Sequence, residues 1–201
     1  MIGIGDTNSQ FIVYIGNRPD YGDLNHLTSV RPIKDGEIAD IGVKCGNGWR
    51  KVFNVYAKLV FALNASMHFV GLADENQTGV IAPVNRWQAW RDVCLLKEHS
   101  NSLMLFSKPD LTTKDSDVLR IVMGKGWAKE CGLEPVLHWL NNDFAISKKH
   151  NLIVCPYFDY RQLSNQKIVL LCELIRPFLA ERNAISGSNK PVADESPVII
   201  T

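Results

Sequence analysis

The stretch CPYFDYRQLSNQ, Cys155–Gln166, sets three aromatics (Tyr157, Phe158 and Tyr160) around Asp159 and follows them with Arg161, just ahead of a helix start. Aromatic faces stack bases, an arginine grips phosphate, and free amides at a helix N-terminus accept an anion. These residue types in this order therefore make a nucleobase or nucleotide wall. The same residues also suit a strand-to-helix loop whose aromatics seal the edge of the core, but exposed loops seldom spend three aromatics without use, which favours the binding reading. A second stretch, FIVYIGNRPDYG (Phe11–Gly22), breaks an apolar run at Gly16 and continues with Asn17, Arg18, Pro19 and Asp20, with Asp23 close behind. A carboxylate in a desolvated loop can be tuned as a general base, which makes Asp20 and Asp23 the candidate catalytic residues. Arg18 cannot act as a base at neutral pH, but it can hold a phosphate.

Other motifs carry less chemistry. MGKGWAKECG places Gly-Lys-Gly between a strand and a helix, where a phosphate could sit on exposed amides. It lacks the third glycine and downstream acid of a dinucleotide fingerprint and the Gly-Lys-Ser/Thr of a P-loop, so it reads as a tight turn. Cys155 ends a strand, but His26, His68, His99, His138 and His150 are scattered and none forms a recognisable partner motif. The same scatter argues against a metal site, and no cofactor is expected. In VNRWQAWRDV, Trp87 and Trp90 share a helix face with Arg86 and Arg91 nearby. That suits either base stacking with phosphate contacts or core packing with solvated arginines.

The elements that must position these residues alternate. Strands are expected at Phe11–Ile15, Val80–Ala82, within SLMLFSKPD, at Val118–Met123 and at Leu152–Cys155. A helix follows Gly46, with Trp49, Val52, Phe53, Tyr56, Val60 and Leu63 on one face. Another begins near Asn85, a third follows Gly124, and EPVLHWLNN is expected as a further short helix. The last helix starts near Ser164 or Asn165 and buries Ile168, Leu171, Cys172, Ile175 and Leu179. Strands bounded by glycine or proline between helices argue for an α/β fold, a mainly parallel sheet covered by helices on both faces. Ligands collect at the carboxyl ends of such strands. Residues 1–182 are expected as a single domain and 183–201 as a C-terminal tail. The polar stretch 23–40 is long for a simple connection and could fold over the strand ends as a lid.

Composition sets the limits. At 201 residues with 46% hydrophobic and 21% charged content, the chain suits one globular domain. A net charge of +1 gives no whole-surface attraction for polyanions, so nucleic-acid binding needs a local patch. The five cysteines, without C-x-x-C spacing, read as free thiols in a reducing compartment. No apolar run approaches membrane-spanning length and MIGIGDTNSQ is not a signal peptide, so the expectation is a cytoplasmic protein off the membrane.

Taken in chain order, IGNRP (Ile15–Pro19), GNGWRKVF (Gly46–Phe53), TGVIAPVNR (Thr78–Arg86), VLRIVMGKGW (Val118–Trp127) and LIVCPYFDYRQLS (Leu152–Ser164) form a series. That series resembles the uracil-DNA glycosylase superfamily, especially its mismatch-specific branch. The resemblance implies a three-layer α/β/α sandwich with a site at Gly16, Asn17, Arg18, Pro19, Asn47, Tyr157, Phe158, Asp159, Tyr160 and Arg161. It also implies a nucleobase, nucleotide or DNA partner. The departures change the expected chemistry. Where that family commonly has an acid or amide before the loop proline, Arg18 stands here, and Asn17 falls one residue early. The final loop has Tyr157, Phe158 and Asp159 in place of a small Pro-Ser-Gly run. The expectation is thus a binding domain without standard uracil excision. The alternatives are an N-glycosidic hydrolase with a shifted aspartate base and a protein-interaction module.

Overall fold

The computed structural model describes residues 1–67, 86–112 and 118–187. The expected strand Val80–Ala82, the helix start near Asn85, most of the TGVIAPVNR segment and the chain beyond residue 187 lie outside the described residues.

The architecture is mixed α/β, built on an eight-stranded, mostly parallel sheet. Its strands are β1 (Gly3–Gly5), β2 (Phe11–Tyr14), β3 (Val30–Arg31), β4 (Leu103–Leu105), β5 (Leu119–Met123), β6 (His138–Trp139), β7 (Ala145–Ser147) and β8 (Leu152–Cys155). The order across the sheet is β3-β1-β4-β2-β5-β8-β7-β6. The central strands β4, β2, β5 and β8 all run in one direction. Antiparallel contacts flank them, β1 on β4 at one side and β7 on β8 at the other.

Phe-Ile-Val-Tyr is buried at every position, as a central strand covered on both faces requires. Its side chains alternate. Phe11, Val13 and Ile15 join the core that holds the buried residues of the helices α1 (Glu37–Lys44), α2 (Asn47–Met67), α3 (Trp87–Val93) and α5 (Asn165–Gly187). Ile12 and Tyr14 join a smaller core with Ala128 of α4 (Lys125–Glu130). In α2 the periodic residues Trp49, Val52, Phe53, Tyr56, Val60 and Leu63 are all buried, and Tyr56 Oη donates to the Leu103 carbonyl at 3.1 Å. That bond ties the helix to the sheet and satisfies a hydroxyl with no access to water. In α5, Ile168, Leu171, Cys172, Ile175 and Leu179 form the matching buried face.

The chain moves from β2 to β4 through α1, α2 and α3 on one face, and from β5 to β8 past α4 on the other. The order therefore reverses between β2 and β5, and the carboxyl ends there flank the point where such sheets open a crevice.

Three local expectations are corrected. The first strand is β1, not the expected Phe11–Ile15, which follows it as β2; Gly-Ile-Gly offers little side-chain signal, and close approach to β4 explains the glycines, since a Cβ on Gly3 would lie 2.2 Å from the Met104 carbonyl oxygen. EPVLHWLNN is a single 3-10 turn, Glu134–Val136, followed by strand β6, because a hairpin with β7 captures His138 and Trp139. The stretch 23–40 is not a bare connection. β3 pairs with β1, Ile33 N–H donates to the Leu96 carbonyl at 2.9 Å, and α1 begins at Glu37. Arg31 clamps this segment between Asp23 (2.7 Å) and the buried Glu37 (2.6 Å). At the other end, α5 continues past residue 182 to Gly187. No helix among the described residues is long and apolar enough to cross a membrane.

Candidate functional site

Parallel pairing of β4, β2, β5 and β8 puts Phe106, Gly16, Gly124 and Pro156, which follow those strands, on one edge of the sheet. The register aligns Tyr14 with Leu105 and Val122, and Met123 with Cys155. The three loops singled out from the sequence thus share a rim. Gly124 turns the chain from β5 into α4 at φ +90°, a conformation that favours glycine, and its N–H donates to the Cys155 carbonyl at 2.8 Å. Gly16 is required by contact: a Cβ there would sit 2.8 Å from the Trp127 ring. The indole of Trp127 therefore lies directly on the break between β2 and its loop.

Beyond Gly16, each residue of the first loop has a defined place. Asn17 Oδ1 accepts a hydrogen bond from Tyr157 Oη at 3.1 Å, which joins the loops after β2 and β8. Arg18 Nη1 donates to the carbonyls of Asn25 (2.9 Å) and Leu24 (3.4 Å), and its guanidinium carbon stands 5.5 Å from the Phe106 ring centroid. It makes no ion pair among the described residues, so its charge stays at the rim. Pro19 is buried. Asp20 is exposed and accepts from Asn25 Nδ2, while its carbonyl accepts the Cys45 thiol at 3.2 Å. Asp23, on the 3-10 turn Gly22–His26, is gripped through both oxygens by Arg31, and that hydrogen bonding holds its carboxyl below the usual range.

In the loop after β8, Phe158 is core: it is fully buried, 5.8 Å from the Tyr56 ring. Asp159 is nearly buried and accepts from the Arg161 amide (3.0 Å), the Arg161 guanidinium (3.0 Å) and Lys51 Nζ (2.9 Å). Arg161 first and Lys51 next hold its carboxyl far below the usual carboxylate range, against the opposing effect of burial. Asp159 is therefore a fixed charge that orients two cations. Lys51 Nζ also stands 5.2 Å from the ring of Tyr160, which is 58% exposed, and the Arg161 side chain is 70% exposed. The half-buried Tyr157 has its hydroxyl pushed upward by burial, an effect the Asn17 bond opposes.

Besides the inward-turned Phe158, two expected site residues fall outside this group. Asn47, the first residue of α2, gives its Oδ1 to Arg50 at 2.7 and 3.1 Å and lines a cavity between α1, α2 and α3. Asp23 is committed to Arg31. Conversely, Lys51, Phe106 and Trp127 belong to the rim and were not singled out. Lys51 sits one helical turn after Asn47 in GNGWRKVF, the nearest thing to a signal, but its partner lies in a distant loop. The Gly-Lys-Gly lysine, Lys125, stands over the Trp139 ring at 4.4 Å.

Other chemistries find little support. Cys155 is fully buried and burial alone pushes its thiol far up, so it is an inert core residue. Among the described residues no group of three or more His, Cys, Asp or Glu could hold a metal ion. Trp90 is buried while Trp87 is half-exposed beneath Lys58 and Arg91, so the tryptophan pair divides between core and surface.

No curated protein and no solved structure matches the chain. Residues 2–176 match the model of a family of unknown function (DUF6942), and the chain belongs to that family.

Proposed function

We propose that this chain is a uracil-DNA-glycosylase-like, three-layer α/β/α domain that binds a nucleobase, nucleotide or nucleic-acid strand at the rim and does not carry out standard uracil excision. The observation that carries this reading is the meeting of the β2 and β8 loops through Asn17 and Tyr157, with Arg18, Lys51 and Arg161 placed around them. The exposed Tyr160 ring supplies a stacking face and the cations supply phosphate contacts. The five free thiols fit a reducing, cytoplasmic setting.

The absence of standard excision is inferred from what the carboxylates do. Asp23 and Asp159 are held as anions by cationic partners, which weakens them as bases. A second reading, an N-glycosidic hydrolase with a shifted base, is favoured by one observation: Asp20 is bound by the neutral Asn25 and no cation among the described residues. Cleavage of uracil-, hypoxanthine- or mismatch-containing oligonucleotides that disappears in Asp20→Asn would establish that reading.

The binding reading is tested by fluorescence anisotropy with labelled single-stranded DNA, duplex DNA and free nucleotides at low salt. Binding that weakens with added salt, and by about tenfold in Tyr160→Ala/Arg161→Ala, is expected, since base stacking is worth roughly 1–3 kcal/mol. No binding to any of the three, or binding indifferent to that double substitution, would remove it and leave a protein-interaction module.

A further inference from the structure

We propose that the open pocket between α1, α2 and α3 is a separate binding site for a small amphiphilic anion, a carboxylate or phosphate head on an apolar body. The cavity measures about 470 Å3, within the range of small-molecule sites. Its apolar surface comes from the exposed Ala39 and Val43 of α1, over the buried Phe53 and Ile38. Arg50 from α2 and Arg91 from α3 line it as well, and no acidic residue among the described residues does.

Arg50 makes no ion pair among the described residues, and the one Arg91 makes is with Asp92, outside the lining. Arg50 donates Nε and Nη2 to Asn47 Oδ1 at 3.1 and 2.7 Å, and Arg91 donates Nη1 to Asn54 Oδ1 at 2.5 Å. Both acceptors are neutral amides on α2 that line the same cavity. Arg91 is further steadied by the Trp87 ring, 5.9 Å from its guanidinium carbon, and by Nε contact at 2.7 Å with Asp92, which does not line the cavity. Arg50 Nη1 and Arg91 Nη2 have no partner among the described residues. Acids on α1 are turned elsewhere, Glu37 to Arg31 and Asp40 to Tyr21.

Two cations with spare donors beside an apolar wall ask for a ligand with both characters. A planar fork suits the two oxygens of a carboxylate or phosphate. The apolar wall selects against a bare inorganic ion, because such an ion leaves Ala39 and Val43 uncovered. Lys51, Asp159 and Arg161 lie apart from this lining, so the site stands or falls independently of the rim.

Isothermal titration with phenyl phosphate, benzoate, benzyl alcohol and inorganic phosphate tests the proposal, with thermal melting as a folding control. One saturating site for phenyl phosphate or benzoate is expected, with benzyl alcohol and inorganic phosphate at least about tenfold weaker. Arg50→Gln/Arg91→Gln should weaken it by about tenfold or more, since a charge-assisted bond is worth roughly 1.5–3 kcal/mol. Ala39→Phe, which fills the pocket from an exposed position on α1, should abolish binding, and Lys129→Ala, exposed on α4 at the other face of the sheet, should leave it unchanged. Absence of saturable binding to the folded protein up to about 10 mM overturns the site. So does affinity unchanged in the folded arginine double variant, or inorganic phosphate binding as tightly as phenyl phosphate.

Discussion

Tyr157 donates its hydroxyl to Asn17 Oδ1 at 3.1 Å and so binds the loop after the last strand to the loop after β2. These loops flank Gly124, whose own amide is bonded to Cys155 at the end of β8. The rim is thus held by side-chain and backbone contacts across three neighbouring parallel strands.

Tyr157→Phe removes that contact and little else, because the ring stays half-buried. Urea denaturation should show a loss of about 0.5–1.5 kcal/mol, the usual worth of one neutral hydrogen bond. Asn17→Ala should cost a similar amount. The double variant should cost less than the sum, since the two residues share one interaction. Strict additivity would mean that the bond does not form in solution.

Gly16→Ala should be more damaging than its small size suggests. The new methyl would meet Trp127 ring atoms at 2.8 Å, so either the indole or the loop must shift. A cost of about 1–3 kcal/mol is expected, as for other overpacked sites. A change in near-ultraviolet circular dichroism should accompany it. Wild-type stability with an unchanged spectrum would contradict the packing of Trp127 on Gly16.

Asp159→Asn should reveal a pH-dependent contribution. The folded carboxyl is held below its unfolded value by Arg161 and Lys51. Its stabilisation is therefore complete above the unfolded value of about 3.9 and is lost as pH falls through the folded one. At about pH 7 the variant should be roughly 1–3 kcal/mol less stable, with Lys51 left half-buried beside a neutral amide. As pH falls below about 4, the gap between the two proteins should narrow. A constant gap over that span would reject the ion pair.

Much of this arrangement is legible in the sequence, and the failures have physical causes. The buried faces of α2 and α5 are read correctly because long amphipathic helices write their burial into local spacing. β2, β5 and β8 are legible as apolar runs stopped by Gly16, Gly124 and Pro156. β1 and β7 are not: β1 takes its form from β4, far along the chain, and β7 is too short and mixed in character to stand out beside its neighbours β6 and β8. The site divides in the same way. Tyr160 and Arg161 stand where a loop full of aromatics predicts them, whereas Phe158 turns inward. Lys51 becomes a rim residue only through Asp159, which no local pattern announces.

Thiol chemistry separates core from surface. Cys45 and Cys131 are half-buried; Cys94, Cys155 and Cys172 are buried, and burial pushes the Cys172 thiol up to about 11. Brief alkylation of the folded protein, read by mass spectrometry, should label Cys45 and Cys131 well before the other three. Early labelling of Cys155 would contradict its place in the core.

The most direct test of the rim is amide chemical-shift mapping by NMR during titration with a pyrimidine and a purine nucleoside monophosphate. Saturating shifts should centre on Asn17, Lys51, Tyr157, Tyr160 and Arg161. Shifts confined to the Arg50 and Arg91 cavity, or none at any nucleotide concentration, would contradict nucleotide binding at the carboxyl ends of the strands.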